Sequence, residues 1–424
     1  MGNAMQDSMF DPFDLLKSYP RVIVSPTYRL NLLGYLASCE LLEEDGSSTG
    51  NFGFWDQRLA LEWTHANISS FGGNPANISV GGLSAGAHSA IFQLHHDTYL
   101  PEKERLIKRV FLFSNAIGIQ PKPTTSLAIQ EQFNELVSAL GIDSSLTGPE
   151  KLAALRTIPH HDLISVISTL KHHTFRATTD NAFIASTFLS SIYDGSFTTL
   201  LADHGIKILL GEVANEETLY RLVNPATSYS DLQTQLDNYY PSAVSKGLLS
   251  AYQLPAKEAR EGDWATVGGQ ILGDAQVHAV VRGFANSLLC PPAGATALSV
   301  QQDVFRYRIS WRAGSLDEWL RPEVKCCHAS DIPLWWLSGV RAGFGEADVG
   351  TAKGLLDGFQ AFVNGERVGW ETGKKEDIRH VTSDGRVVVE KDERWEEGLR
   401  IWNVMLKAQG FGRTRSGIEV VPLA

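Results

Sequence analysis

The hydrophobic pattern divides the chain into short apolar runs that alternate with helical segments. Four continuous apolar runs have the length of a buried strand and lie at residues 20–28, 77–83, 109–114 and 207–213. Such runs are typical of strands that are covered on both faces, as in a parallel sheet. Apolar residues such as Leu59 and Trp63 recur near helical spacing after the first run, and a small-residue helix from Ala85 to Leu94 follows the second. This alternation predicts a doubly wound, mostly parallel α/β sheet.

Two longer stretches lack any clear buried strand. Residues from about 120 to 200 and from about 225 to 300 are mostly amphipathic helix, and we predict that they are helical insertions or caps within a single domain spanning residues 1–424. The alternating residues 304–311 predict a strand near a sheet edge. The C-terminal part predicts a helix at about 350–364, a hairpin with its turn at Asp384-Gly385, and a last helix at about 394–408.

Composition limits the kinds of partner. The 424 residues are 43% hydrophobic, which is enough for a large core, and the formal net charge is −11. This balance offers no basic stripe for nucleic acid and no basic block for an anionic membrane surface, so a small neutral or apolar substrate is the expected partner. The four cysteines are too few and too scattered for a disulfide framework or a zinc site, so buried thiols and no metal or cofactor are expected.

The N-terminal residues carry no targeting signal. They show neither a basic region nor an apolar run, and no segment approaches the ~20 apolar residues of a membrane span. We therefore expect a cytoplasmic protein without a membrane span, while a secreted form stays open if a longer N-terminus exists. The oligomeric state is not determined by the sequence.

One apolar run ends in a serine between glycines. The segment Gly82-Leu83-Ser84-Ala85-Gly86 fits the G-x-S-x-G pattern, and it stands between a predicted strand and a predicted helix, which is the context that this elbow requires. We expect that a side chain at position 82 or 86 would collide with its neighbours in so sharp a turn. Ser84 is the predicted nucleophile.

A nucleophilic serine requires a histidine base and an acid, and in elbow hydrolases both follow the serine along the chain. The acid should follow a buried strand, and residues 211–220 offer three candidates, Glu212, Glu216 and Glu217. Among the twelve histidines, His328 lies on a loop beyond the strand at 304–311, where the base is expected. Asp331 is expected to cap the helix that begins at Ile332-Pro333 and so to hold this loop.

These residues together resemble the type-B carboxylesterase and cholinesterase-like family of α/β-hydrolases. The resemblance runs from about residue 20 to the C-terminus. It rests on Tyr28-Arg29-Leu30, on Asn51 to Trp63, on Asn67-Ile68 with Phe71 to Pro75, on the Ser84 elbow, and on Phe362-Val363-Asn364-Gly365. It implies an α/β-hydrolase fold and a triad of Ser84, Glu216 and His328, with Glu217 standing where the family usually has glycine.

Two departures from the family pattern are visible. Leu83 stands where the family usually has glutamate before the serine, which argues against a cationic choline ester. Residues 1–19 contain no His-Gly-Gly-Gly loop, so the first strands of the fold are expected to be missing and one sheet edge exposed. Only the Ala85 N–H is then assigned to the oxyanion hole, and loss of one such donor costs ~10²–10³ in rate. Either Met1 is an internal methionine, or the chain is a shortened and slowed relative.

The leading hypothesis is a serine carboxylic-ester hydrolase that acts on small neutral or apolar esters through an acyl-enzyme. A non-enzymatic cholinesterase-like binding or adhesion protein is the first alternative, although such proteins usually lack a triad residue. Acyl transfer to an alcohol, or lactonisation, would use the same triad. Trp335 and Trp336 follow the histidine loop and could line a pocket, but a place in the core is the more common role for such residues.

Overall fold

The computed structural model describes residues 10–45, 50–318, 320–341, 343–414 and 417–420. The six strands of its main sheet are β1 (Ser79–Leu83), β2 (Arg109–Phe113), β3 (Lys207–Val213), β4 (Val304–Ile309), β5 (Asp377–Val381) and β6 (Val387–Lys391). They lie in the order β1-β2-β3-β4-β5-β6, and every neighbouring pair is parallel except the antiparallel hairpin of β5 and β6. A separate antiparallel pair joins β7 (Phe411–Thr414) to β8 (Gly417–Val420).

The helices connect these strands as the pattern predicts. In chain order they are α1 (Phe13–Ser18), α2 (Asn31–Tyr35), α3 (Cys39–Asp45), α4 (Phe52–Asn67), α5 (Ala85–Thr98), α6 (Leu127–Ala139), α7 (Gly148–Thr157), α8 (His160–Ile167), α9 (Phe188–Asp194), α10 (Ser196–Asp203), α11 (Glu217–Val223), α12 (Tyr229–Tyr239), α13 (Ser242–Ala251), α14 (Glu261–Gly273), α15 (Ala279–Leu289), α16 (Ile332–Trp335), α17 (Glu346–Asn364) and α18 (Trp395–Ala408). A π-helical turn, Asp274–His278, joins α14 to α15. Short 3₁₀ turns occur at Ile68–Phe71, Glu102–Glu104, Gly314–Glu318, Pro322–Val324 and Ser338–Val340.

The structure divides the chain into two compact units. One contains residues 24–66 and 120–189, and a cluster that includes Leu32, Phe133 and Leu152 forms its core. The other carries all six strands of the main sheet and contains the described residues within 10–23, 67–119 and 190–420. The described residues of the two stretches at about 120–200 and 225–300 form several helices and no strand, although residues 168–187 have no helix. Their role as insertions or caps and the single domain stay predictions.

The core of the second unit forms on the two faces of its sheet. Side chains of β2, β3 and β4 pack with α17 in one hydrophobic cluster that includes Phe113, Leu209, Tyr307 and Phe359. Helix α5 packs against β1 and β2, while α15 packs against β3 and β4. Covered strands of this kind explain why β2 and β3 appear in the sequence as continuous apolar runs.

The predicted strand at residues 20–28 is wrong. This segment has no regular secondary structure, and Val22 and Val24 are 45% and 43% exposed. An apolar run forms a strand only where a neighbouring strand supplies hydrogen bonds, and within the described residues β1 is an edge strand that pairs with β2 alone. The expected exposed edge of the sheet is therefore present at β1. Residues 1–9, which contain no oxyanion-loop motif, lie outside the described residues.

The predicted position of β4 near a sheet edge is also wrong. This strand lies between β3 and β5, and all its residues are buried except Arg308, which is half-buried. Arg306 is buried and donates hydrogen bonds to the Asp392 carboxylate and to the Lys375 carbonyl. Alternation normally indicates one solvated face, but a buried arginine that is paired with a carboxylate produces the same pattern.

Three local expectations have mixed outcomes. The helix after residue 51 is confirmed as α4, but Leu59 and Trp63 are 63% and 53% exposed, whereas Phe54 and Leu61 are buried. All four cysteines are free thiols, and only Cys326 is buried. Within the described residues no helix has the length and apolarity to cross a bilayer.

Candidate active site

Ser84 occupies a strained turn between β1 and α5. Its backbone angles are φ 57° and ψ −120°, a combination that residues other than glycine rarely adopt. The turn is held by the Ser84 N–H, which donates to the Phe113 carbonyl at 2.8 Å, and by the His88 N–H, which donates to the Ser84 carbonyl at 3.1 Å. Strain of this kind persists only where the surrounding structure enforces it, and it is common at catalytic sites. The elbow predicted from the sequence is present.

The two glycines of the elbow differ in their surroundings. A Cβ at Gly82 would lie 2.6 Å from the carbonyl carbon and 2.8 Å from the Cα of Gly86, which are backbone atoms that cannot move aside. A Cβ at Gly86 would meet no atom within 4 Å. The expected collision is therefore present at Gly82, and the same expectation for Gly86 is wrong. The strand passes so close to the first turn of α5 that only Gly82 must lack a side chain.

The predicted acid and base follow neighbouring parallel strands. Glu216 comes shortly after β3, and His328 lies on the loop that follows β4, so both belong to the same edge of the sheet as Ser84 after β1. Ligand and catalytic groups of open α/β sheets gather at this carboxyl edge. Backbone hydrogen bonds join the two loops, because Ala214 N–H donates to the Ile309 carbonyl and Asn215 N–H donates to the Cys326 carbonyl.

Glu216 and His328 form a short hydrogen bond. The Nδ1 atom of His328 lies 2.5 Å from Oε2 of Glu216, and the other carboxylate oxygen accepts the Val213 N–H at 2.9 Å. Glu216 is 0% exposed. A carboxylate only accepts hydrogen bonds, so Nδ1 carries the proton and Nε2 of neutral His328 is left as a base. Burial opposes a charge on the ring, but the nearby Glu216 carboxylate outweighs it and raises the pKa of His328.

The structure joins His328 to Glu216 directly, whereas among the described residues it records no hydrogen bond between His328 and Ser84. Such contacts are often long in uncomplexed enzymes and shorten when substrate binds. Ala85 is the first residue of α5, where the N–H groups of the first turn have no acceptor within the helix. Its N–H therefore stands beside the serine at the positive end of a 14-residue helix dipole.

The other two candidate glutamates have different partners. Glu212 is buried and contacts Arg282 at 2.8 Å and Nδ1 of His278 at 2.7 Å. Burial opposes ionisation of Glu212, but these two cations hold its pKa well below the usual value. Glu217 is partly exposed and accepts a hydrogen bond from the Asn215 side chain at 3.2 Å. Neither therefore takes the place of Glu216 beside His328.

Asp331 does not cap the following helix through its side chain. It occupies the N-cap position of α16, but its Oδ2 accepts the indole N–H of Trp335 at 2.9 Å, and the expected capping hydrogen bond is absent. Burial and the Glu216 charge raise the pKa of Asp331 to about 6. Trp335 itself is a core residue that stacks on Phe113 with 4.4 Å between ring centroids, and Trp336 is partly buried against the same cluster.

A second Ser-His-Glu arrangement, which the sequence did not indicate, joins the end of β4 to β5 and β6. Ser310 Oγ is 2.8 Å from Nε2 of His380, and Nδ1 of His380 is 2.5 Å from Oε1 of Glu390. Two features separate it from the elbow site: Ser310 has no left-handed φ, and the side chain of Glu390 is 43% exposed whereas that of Glu216 is fully buried. Because the three residues come from different strands, only the strand register brings them together.

The chain is similar to several known proteins in sequence and in fold. A sequence model of the carboxylesterase family matches residues 1–395. An uncharacterized esterase/lipase of Schizosaccharomyces pombe is 41% identical over 425 residues, covering 99% of this chain and 75% of that protein. A carboxylic ester hydrolase of Gibberella moniliformis is 37% identical, with 92% of this chain and 71% of that protein covered. The solved structure of a PNB esterase superposes with a TM-score of 0.70 at 19% identity, over 94% of this chain and 78% of that one, which confirms the predicted fold.

We expect Gly82→Ala to abolish most esterase activity and Gly86→Ala to leave most of it. The new methyl group at position 82 would press on the Gly86 backbone and displace the serine turn, whereas the same group at position 86 meets open space. A displacement of about 1 Å at a reacting group can cost about a hundredfold in rate. Steady-state hydrolysis of an aryl ester, with circular dichroism to verify folding, measures the difference. Equal activity of the two variants would contradict the assigned elbow geometry.

We expect Glu212→Gln to act on stability. Removing the Glu212 charge from this buried cluster leaves Arg282 with Asp392 as its remaining carboxylate and takes the closest carboxylate from His278, and breaking a buried ion pair in this way costs about 3–5 kcal/mol. Glu397→Gln is the matched control, because its pair with Arg400 is half exposed and such surface pairs contribute about 0–1 kcal/mol. Urea unfolding of both variants gives the free energies of unfolding. Equal values would show that the buried pair contributes no more than a surface pair.

Proposed function

Because this chain belongs to the carboxylesterase family and is a carboxylic ester hydrolase, we propose that Ser84, Glu216 and His328 are its catalytic triad. The observation that supports this assignment most strongly is the 2.5 Å hydrogen bond between His328 and the fully buried Glu216. The strained conformation of Ser84 at the same sheet edge supports it independently.

The proposed mechanism begins when Nε2 of His328 takes the proton of the Ser84 hydroxyl and Ser84 Oγ attacks the ester carbonyl. Glu216 fixes the ring and stabilises the imidazolium that forms. The negative charge that develops on the carbonyl oxygen is met by the Ala85 N–H at the start of α5. His328 then protonates the departing alcohol, and water releases the acid from Ser84 by the same steps in reverse.

We propose uncharged esters with small or apolar groups as the substrate class. Leu83, the residue before the nucleophile, is apolar and packs against the core cluster of Phe113 and Tyr307. It provides no carboxylate that would attract a cationic alcohol group. The net charge of −11 likewise gives no general attraction for an anionic substrate.

The first test identifies the nucleophile. A fluorophosphonate probe reacts with an activated serine hydroxyl, and we expect peptide mapping to find it on Ser84 and not on Ser310. Ser310 is the internal control, because it also contacts a histidine that is paired with a glutamate but lacks the elbow. Ser84→Ala should abolish labelling. Labelling of Ser310 in that variant would contradict the assignment.

The second test identifies the acid. Glu216→Gln should lower kcat by at least about a hundredfold, because an amide cannot stabilise the imidazolium as a carboxylate does. Glu390→Gln is the matched control, since it changes the same type of 2.5 Å contact with His380 away from the elbow, and it should keep kcat within about threefold. Steady-state kinetics on a short-chain aryl ester measures both. A Glu216→Gln variant as fast as Glu390→Gln would exclude Glu216 as the acid.

A further inference from the structure

A buried histidine lies behind the turn that carries Glu216. His278 ends the π-helical turn Asp274–His278 and is fully enclosed by the protein. Its Nδ1 atom lies 2.7 Å from Oε2 of Glu212 on β3, and its Nε2 atom lies 4.0 Å from Oε2 of Glu217 at the start of α11. The two ring nitrogens therefore face the carboxylates that stand on either side of Glu216 in the chain.

The surroundings of His278 favour its cationic form. A carboxylate only accepts hydrogen bonds, so Nδ1 donates its proton to Glu212, whereas the 4.0 Å between Nε2 and Glu217 is an ion-pair distance without a hydrogen bond. Burial opposes this charge, but Glu212 and Glu217 outweigh it and raise the pKa of His278. Glu217 is affected in turn: burial opposes its charge, but the interactions with His278, with its own backbone N–H and with the Asn215 side chain together lower the pKa of that carboxyl. Among the described residues, the other charged groups that line the cavity beside His278 are Arg282, Asp274, Arg394 and Glu397.

Helix α14, which leads into the π-helical turn of His278, also packs closely against the backbone at Glu217. A Cβ at Gly273, the last residue of α14, would lie 2.9 Å from both the N and the Cα of Glu217. A Cβ at Gly269, one turn earlier, would lie 2.9 Å from the Glu217 carbonyl oxygen. Two glycines on one side of α14 thus allow the helix to lie directly against the first residue of α11. A π-helical turn follows immediately, and such turns are frequent at functional sites.

The position of the triad acid depends on this turn. The Glu216 carboxylate is held between the Val213 N–H and His328, so a shift of the backbone at 213–217 would lengthen the 2.5 Å contact with His328. Three glutamates within six residues also repel one another. A cation placed between the first and the third opposes the spreading of the turn.

We propose that His278 is a positioning residue, which holds Glu212 and Glu217 and thereby fixes the Glu216 carboxylate against His328. This inference rests on the proposed role of Glu216 as the triad acid. His278 contacts neither Ser84 nor His328 in the described structure, so it acts on the reaction through the turn.

The first arm of the test changes the charge. His278→Gln removes the imidazole, and Glu217→Gln removes the charge of its partly exposed partner. Arg221→Gln is the control, because Arg221 also lies on α11 but is exposed. We expect both test variants to lower kcat by about tenfold with KM nearly unchanged, since a misplaced catalytic group slows the reaction more than it weakens binding. If His278→Gln does not fold, the kcat of Glu217→Gln alone tests the proposal.

The pH profile separates positioning from a general loss of structure. The acid limb of kcat/KM reports the pKa of His328 in the free enzyme, and Glu216 raises that pKa. A displaced Glu216 would support the imidazolium less, so the acid limb should move to lower pH in His278→Gln and Glu217→Gln. Partial unfolding would reduce the active fraction and leave the limb in place, which would contradict the proposal.

The second arm moves the backbone without changing any charge. Gly273→Ala would push against Glu217, whereas Gly262→Ala lies in the same helix with no atom within 4 Å of the added Cβ. We expect the first to reproduce the loss of kcat and the shifted acid limb, and the second to match the parent enzyme. Folded His278→Gln and Glu217→Gln enzymes with parental kcat and acid limb would overturn the proposal.

Failure of this inference is distinguishable from failure of the proposed function. An active Glu216→Gln variant would contradict the triad itself. An inactive Glu216→Gln variant beside fully active His278→Gln and Glu217→Gln variants would contradict only the positioning role of His278.

Discussion

The hydrogen bond between the buried Glu216 carboxylate and His328 is the constraint on which the rest of the site depends. A carboxylate that is fully withdrawn from water is costly unless hydrogen bonds compensate it. Here the compensation comes from the Val213 N–H and the imidazole, both supplied by segments that leave the same sheet edge. The backbone hydrogen bonds that join those segments, from Ala214 to Ile309 and from Asn215 to Cys326, therefore help to fix the position of His328.

Two glutamates that are close in sequence, Glu212 and Glu216, have different partners that compensate their charges. Glu212 contacts Arg282 of α15 and His278 of the preceding π-helical turn, while Glu216 lies past the end of the strand beside His328. An ionised Glu212 without those cations would be too costly to bury. The residues that compensate Glu212 thus lie beside the turn of Glu216, the proposed triad acid.

The serine depends on a second constraint, the close approach of β1 to α5. Gly82 lets the strand pass against the Gly86 backbone, and the hydrogen bond from Ser84 N–H to the Phe113 carbonyl holds the turn at a positive φ. Packing of α5 on β1 and β2 holds Ser84 in this strained conformation and offsets its cost in free energy. These contacts place Ser84 at the carboxyl end of β1.

The sequence by itself determined the features that depend on neighbours along the chain. Buried strands such as β2 and β3, the hairpin at Asp384-Gly385 and the serine elbow are visible because apolar runs, turn residues and glycine spacing act locally. The residues alone left three glutamates open, and only the tertiary structure connected Glu216 to His328. Tertiary structure also decided that residues 20–28 form no strand and that β4 lies inside the sheet. The physical reason is that a strand requires a hydrogen-bonding neighbour, and a buried charge requires a partner, which the chain supplies from distant positions.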